Sequence, residues 1–183
     1  METIAAPTLV RIVLTGSESV GKTTLAQQLA VHYGVEFVPE FVRDYAINKG
    51  APLGFGDHGP IAKGQMARED EYKARARSLL IQDTDLASTV VYCHHYFGRC
   101  PVFIEEEAAH RRPTMYLLLD IDVPWIADGI RDRSDRRQQV QELFAETLAR
   151  LAAPVTAIRG DWDARFAAAR LTIDEQLRIA SNS

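Results

Sequence analysis

Gly16-Ser-Glu-Ser-Val-Gly-Lys-Thr23 fits G-x-x-x-x-G-K-[ST], a loop whose backbone wraps phosphate groups. Leu9 to Leu14 before it reads as a buried strand. Thr23 to Tyr33 after it reads as a helix with Leu25 and Leu29 on one face and Gly34 as its stop. The residue types follow from the chemistry. Gly16 and Gly21 let the chain approach a triphosphate closely, and the N–H groups around Ser19 and Val20 face the anion with the helix N-terminus. Lys22 suits the β- and γ-phosphates, the Thr23 hydroxyl suits Mg²⁺, and Thr24 offers a second hydroxyl near the α-phosphate.

Outward from this loop the chain alternates short apolar runs with amphipathic stretches, which predicts a parallel β-sheet of about five strands with helices on both faces. The strand before the loop is expected at its centre. Val35 to Pro39 alternates like a second strand and delivers Glu40-Phe-Val-Arg-Asp-Tyr45 to its carboxyl end, where ligands gather in such sheets. Glu40, Arg43 and Asp44 are therefore candidate site residues, against the plainer reading of a helix cap and solvated charges. Lys49 to Pro60 holds four glycines and two prolines and is expected to be a mobile loop. Ile61 to Ser78 reads as a polar helix on which Gln65 and Glu69, one turn apart, either reach a substrate or face solvent.

Leu79-Leu-Ile-Gln-Asp83 is an apolar run ending in an acid, the place for a carboxylate that holds Mg²⁺ directly or through water. Thr84 or Asp85 is expected to cap the next helix. Tyr92-Cys-His-His-Tyr-Phe-Gly-Arg-Cys100 has two cysteines and two histidines, but C-x₆-C is not a zinc-finger spacing. A packed helix ended by Gly98 explains it better, with Tyr92 and Tyr96 available to a planar base. Thr114 to Leu119 suits a strand buried on both faces. Arg131-Asp-Arg-Ser-Asp-Arg-Arg137 is either a self-neutralised charge run or a lid whose arginines, Arg131 and Arg136 among them, close over a transferring phosphoryl group. Val155 to Ile158 is a last strand. The closing helix should bury Trp162, Phe166, Ala169, Ile173 and Leu177, and Trp162 could also touch an adenine.

The 183 residues suit one domain, residues 1–183, with a lid at about 128–138. A net charge of −4 gives no basic footprint for nucleic acid or an anionic membrane. No apolar run is long enough to span a bilayer, the N-terminus lacks a signal-peptide pattern, and two cysteines give no disulfide framework. A cytoplasmic protein without nucleic-acid or membrane partners is expected. Its oligomeric state stays open. A GTPase is excluded because Asp83-Thr-Asp-Leu86 lacks the glycine of D-x-x-G and Asn48-Lys-Gly-Ala51 lacks the aspartate of N-K-x-D. A loop of this kind, an acid near an acceptor hydroxyl and an arginine-rich lid are the parts of a small kinase.

The combination resembles NadR-type ribosylnicotinamide kinase domains, from about Arg11 to Ile173. The likeness lies in the glycine loop with Thr24, Glu40 to Tyr45, Gln65, Asp83 to Asp85 with Thr89, Tyr96 to Gly98, Asp122 to Trp125 and Asp128 to Arg131. The resemblance implies transfer of the γ-phosphoryl of Mg·ATP to the 5′-hydroxyl of nicotinamide riboside, giving nicotinamide mononucleotide for NAD salvage. It implies phosphate binding by Lys22, Mg²⁺ at Thr23 and Asp83, and Glu40 as base with Asp44 behind it. Arg43 would lie on the ribose or γ-phosphate side, and Gln65, Tyr92 and Tyr96 near the acceptor. Full-length NadR proteins add an adenylyltransferase domain, and some a DNA-binding domain. Neither fits in 183 residues, so those activities are not expected. A kinase for another nucleoside or small metabolite, and a nucleotide-binding sensor with little turnover, are the alternatives.

Overall fold

The computed structural model describes residues 8–124 and 136–182. Five strands form one sheet: β1 (Val10–Thr15), β2 (Phe37–Val38), β3 (Leu79–Asp83), β4 (Met115–Leu119) and β5 (Val155–Ile158). Their order is β2-β3-β1-β4-β5 and all four pairings are parallel, so β1 is central. Parallel neighbours cannot be joined by a tight turn, and the crossovers supply the helices. These are α1 (Lys22–Tyr33), α2 (Phe41–Lys49), α3 (His58–Arg75), α4 (Leu86–Phe97), α5 (Val102–His110), α6 (Arg137–Arg150) and α7 (Trp162–Ser181).

Successive β1 side chains go to opposite faces, and each face finds its own cover. Ile12 and Leu14 pack with Leu25, Ala26 and Leu29 of α1 and with Ala169 and Ile173 of α7. Val13 packs on the other face with Ala87 of α4 and Leu148 of α6. This two-sided burial explains why β1 and β3 read as unbroken apolar runs.

Three expectations need correction. The alternation over Val35 to Pro39 yields a strand of only two residues. The loop after Lys49 is shorter and better anchored than its glycines suggest. A 3-10 turn occupies Phe55–Asp57, and α3 starts at His58 rather than Ile61. Asp57 accepts bonds from the Gly54 N–H (2.6 Å), the Tyr45 hydroxyl (2.9 Å) and the Lys49 ammonium. Trp162 is not part of the buried stripe of α7. It is 48% exposed because it stands at the first turn of the helix, against the glycine loop.

Arg165 is the largest wholly buried side chain among the described residues. Its guanidinium donates to the carbonyls of Gly160 (2.8 Å), Val20 (2.8 Å) and Asp120 (2.9 Å) and to the Asp122 carboxylate. One charge thus ties α7 to the glycine loop and to the carboxyl ends of β4 and β5. Replacing it with an apolar side chain leaves the Val20 carbonyl buried and undonated, and the part-buried bonds to Gly160, Asp120 and Asp122 are lost with it. Arg165→Met should lower unfolding stability by about 3 kcal/mol in urea titrations. A loss within roughly 0.5 kcal/mol, the range of an ordinary surface change, would contradict this role.

Candidate active site

The carboxyl ends of β1, β3 and β4 lie side by side, and the loop from Gly16 to Lys22 crosses them. Its shape forbids side chains at two points. A Cβ on Gly16 would lie 2.7 Å from the Leu119 carbonyl. One on Gly21 would lie 2.5 Å from the Trp162 ring, and Gly21 has φ +86°. Gly21 also caps α1 and offers no side-chain oxygen, which leaves the first N–H groups of that helix for a ligand. Lys22 is folded onto the loop, its ammonium donating to the carbonyls of Ser17 (2.6 Å) and Gly16 (3.0 Å). A cavity of about 150 Å³ is lined by residues 19–24 and by Arg43. The candidate phosphate residues Ser19, Val20, Gly21, Lys22, Thr23 and Thr24 are therefore together.

Register places Asp83 beside Leu14, and so beside this loop. The Thr23 hydroxyl donates to Asp83 Oδ2 at 2.5 Å. Asp83 Oδ1 is buried without a protein partner. A hydroxyl and a carboxylate with a spare buried oxygen form a hard-donor set that fits Mg²⁺. Burial, then the neighbouring Glu40 charge, raises the Asp83 pKa, while the Thr23 bond and Lys22 oppose them.

Glu40, buried at the N-terminus of α2, pairs with Arg43 Nε at 3.0 Å. Arg43 faces the phosphate-loop cavity, whereas Glu40 lines a second cavity of about 510 Å³. Tyr92, Tyr96, Gln65 and Asp85 line that second cavity too, with Tyr92 and Tyr96 stacked at 6.0 Å and 16°. The ion pair thus stands where the two cavities meet.

The remaining candidates divide. Gln65 and Glu69 do not face solvent, being only 3% and 2% exposed. Gln65 accepts the Phe41 N–H at the start of α2 (3.0 Å) and donates to Glu69. Helix α3 can pass this close because residue 64 is glycine, where a Cβ would meet the Phe41 ring at 2.1 Å. Asp44 is turned away from the large cavity. It pairs with Arg68 at 2.7 Å and lines a separate surface hollow with Phe41 and Lys49. Arg131 and most of the expected lid lie outside the described residues. Arg136 is exposed at the start of α6, and the next residue is the one that meets the loop. Arg137 donates to the carbonyls of Val123 (2.7 Å) and Ser19 (3.1 Å). Sequence reasoning also missed Gln141, which accepts from the Ser17 N–H (3.0 Å) and donates to the Leu119 carbonyl (2.9 Å).

Asp85 proves to be the cap of α4, accepting from the Ala87 N–H (3.0 Å) and from the Tyr116 hydroxyl (2.5 Å). Among the described residues no group of three or more His, Cys, Asp or Glu side chains could hold a metal ion. Residues 92–97 belong to α4, which Gly98 ends. Cys93 is buried, and a hydrogen bond with Cys100 draws its thiol down to about 6 against the effect of burial. No described helix is long and apolar enough to cross a membrane.

A family model described as an AAA domain matches residues 11–165. The trifunctional NAD biosynthesis/regulator proteins NadR of Escherichia coli and Salmonella typhimurium are each 31% identical to this chain over 168 residues. Those stretches are 87% of this chain but 41% of either relative, so the chain spans less than half of their length. Crystal structures of NadR in complex with NAD and AMP-PNP, and in complex with NR, superpose with TM-scores of 0.79 and 0.72, both at 22% identity. They cover 91% and 83% of this chain and 49% and 45% of the NadR chains. Thymidylate kinase from Ehrlichia chaffeensis shares the fold at a TM-score of 0.64 and 16% identity, over 91% of this chain and 98% of that one.

Burial, then the charge of Asp85, lifts Glu69 from an ordinary 4.5 to about 7, against the pull of Arg11 and Arg111. A carboxyl whose folded pKa is raised contributes stability in full below its unfolded value and loses it as pH rises through the folded value. Glu69 should therefore weaken the fold between pH 4.5 and 7, by about 2–3 kcal/mol. Glu69→Gln should remove that slope in denaturant titrations across the window. Parallel stability curves for the two proteins would refute it.

Proposed function

We propose that this chain, which belongs to the AAA-domain family of P-loop proteins, is an ATP-dependent kinase for the 5′-hydroxyl of nicotinamide riboside. The observation that carries the reading is the Glu40–Arg43 pair at the meeting of a phosphate-loop cavity and a larger aromatic-walled cavity. A hydroxyl in the larger cavity beside Glu40 faces a γ-phosphate on the loop side beside Arg43. The family and the NadR relatives support nucleotide binding and NAD metabolism as the setting.

On this reading the ammonium of Lys22 exchanges the Ser17 and Gly16 carbonyls for the β- and γ-phosphates. Loop amides around Ser19, Val20 and Gly21 and the hydroxyl of Thr24 hold the rest of the chain of phosphates, and the adenine lies toward Trp162. Thr23 and Asp83 hold Mg²⁺, which when bound neutralises charge on the phosphates. Glu40 orients the acceptor hydroxyl and takes its proton as the oxygen attacks phosphorus and the bond to the ADP leaving oxygen breaks. Arg43 steadies the γ-phosphoryl group. Tyr92 and Tyr96 offer their faces to the planar base, and Gln65 lies beside them on the cavity wall. Arg131 and Arg136, from a lid over about residues 128–138, close on the developing charge.

ADP release with Mg·ATP against a nucleoside panel tests this. The expected result is release dependent on nicotinamide riboside and absent in Lys22→Ala. Glu40→Gln should cost about 10²–10⁴ in turnover, and Arg131→Ala or Arg136→Ala on the order of 10³. Release with a different nucleoside would move the acceptor. Confirmed ATP binding without acceptor-dependent release would favour a sensor over a kinase.

A further inference from the structure

Glu18 occupies one of the variable positions of the glycine loop, where a side chain ordinarily has no assigned task. Here it is 2% exposed, turned inward rather than toward solvent. Its Oε2 accepts two hydrogen bonds, one from the neighbouring Ser17 hydroxyl and one from the Tyr92 hydroxyl, both at 3.1 Å. Tyr92 comes from the middle of α4, and its ring lines the larger cavity, packed against Tyr96 on one side and Phe144 on the other. Ser17 is the residue whose carbonyl receives the Lys22 ammonium and whose N–H is held by Gln141. Arg137, bound to the Ser19 carbonyl, also feels the Glu18 charge. The carboxylate thus joins the wall of one cavity to the backbone that shapes the other.

We propose that Glu18 is a positioning residue that couples the two cavities, holding the phosphate loop in its binding shape through the Tyr92 hydroxyl. The inference rests on the reading of the loop as the nucleotide site and of the larger cavity as the acceptor site. A buried carboxylate needs its full set of donors, so loss of the Tyr92 donor frees Glu18 to seek another and shifts Ser17 and Ser19 with it. Nucleotide affinity then depends on a hydroxyl in the wall of the acceptor cavity. The same strut carries influence back, so an acceptor that orders Tyr92 tightens the nucleotide, and by linkage the nucleotide tightens the acceptor.

Titration calorimetry with Mg·AMP-PNP and no acceptor provides the test. Tyr92→Phe keeps the ring and removes only the hydroxyl. It should weaken Mg·AMP-PNP roughly five- to tenfold, the scale of one net hydrogen bond. Glu18→Ala should weaken it as much or more, and the double variant no further than Glu18→Ala alone. Glu18→Gln, whose amide oxygen still accepts from both hydroxyls, should stay within about twofold of the parent protein. General damage to the fold would not be rescued in this way. Unchanged affinity in Tyr92→Phe, or losses that simply add in the double variant, would overturn the coupling. Parent protein that fails to bind Mg·AMP-PNP at all would overturn the nucleotide-site reading itself, a result distinct from either. If Glu18→Ala does not fold, Tyr92→Phe against Glu18→Gln still decides.

Discussion

A phosphate loop must keep its own amides unspent, and everything around it follows from that constraint. Glycines give the loop its path but no side chains with which to brace itself. The bracing comes from far along the chain. Gln141 holds Ser17, Arg137 holds Ser19 and Arg165 holds Val20, across sequence separations of 124, 118 and 145 residues. Two of the three braces donate to loop carbonyls and leave the neighbouring N–H groups alone; Gln141 instead takes the Ser17 N–H. The central place of β1 makes this possible, because only there can α6 and α7 both reach the turn that leaves the strand.

Local order was legible in the residues because it depends on local rules. Leu79 to Asp83 and Val155 to Ile158 have the bounds that their apolar runs suggest. Gly34 and Gly98 stop α1 and α4 in the left-handed conformation. The core of the site was legible for the same reason, since Lys22, Thr23 and Asp83 belong to elements whose ends are set by pattern. What pattern could not give was the partner of a polar side chain. Asp44 lies four residues from Glu40 and one from Arg43, yet it pairs outward with Arg68. Arg136 and Arg137 are the same residue type side by side, and one helical step decides which reaches Ser19. Gln65 sits in a helix whose composition is that of a solvated surface, and the close passage at Gly64 is what buries it. Such outcomes belong to tertiary packing, and amphipathic periodicity carries no record of them.

Among the described residues five carboxylates are buried around this edge of the sheet: Glu18, Glu40, Glu69, Asp83 and Asp85. Burying a charge is costly unless it is bonded or neutralised, and each of the five shows how that is met. Glu40 has a guanidinium, Glu18 two hydroxyls, and Asp85 a helix N–H with a phenol. Glu69 has two arginines too distant to cancel its burial, and its raised pKa is the result. Asp83 has one hydroxyl and one oxygen with no protein partner, the mark of a group that completes its bonding with something else.

The arrangement of those charges separates the two cavities in kind. On the loop side stand Lys22, Arg43 and the N-terminus of α1, all favourable to an anion. On the other side stand Glu40 and Asp85 among aromatic rings, favourable to a neutral or cationic planar molecule and unfavourable to a phosphate. Specificity of this sort is a difference in binding free energy, and repulsion sets it as effectively as attraction. On the proposed reading, the same acids that would keep a nucleotide's phosphates out of the aromatic cavity would admit an uncharged acceptor. The boundary is a single ion pair, Glu40 with Arg43, whose two charges face opposite ways. On the proposed kinase reading, a group crossing from one cavity to the other passes the point where the field reverses, and that is where the transferring phosphoryl group would be.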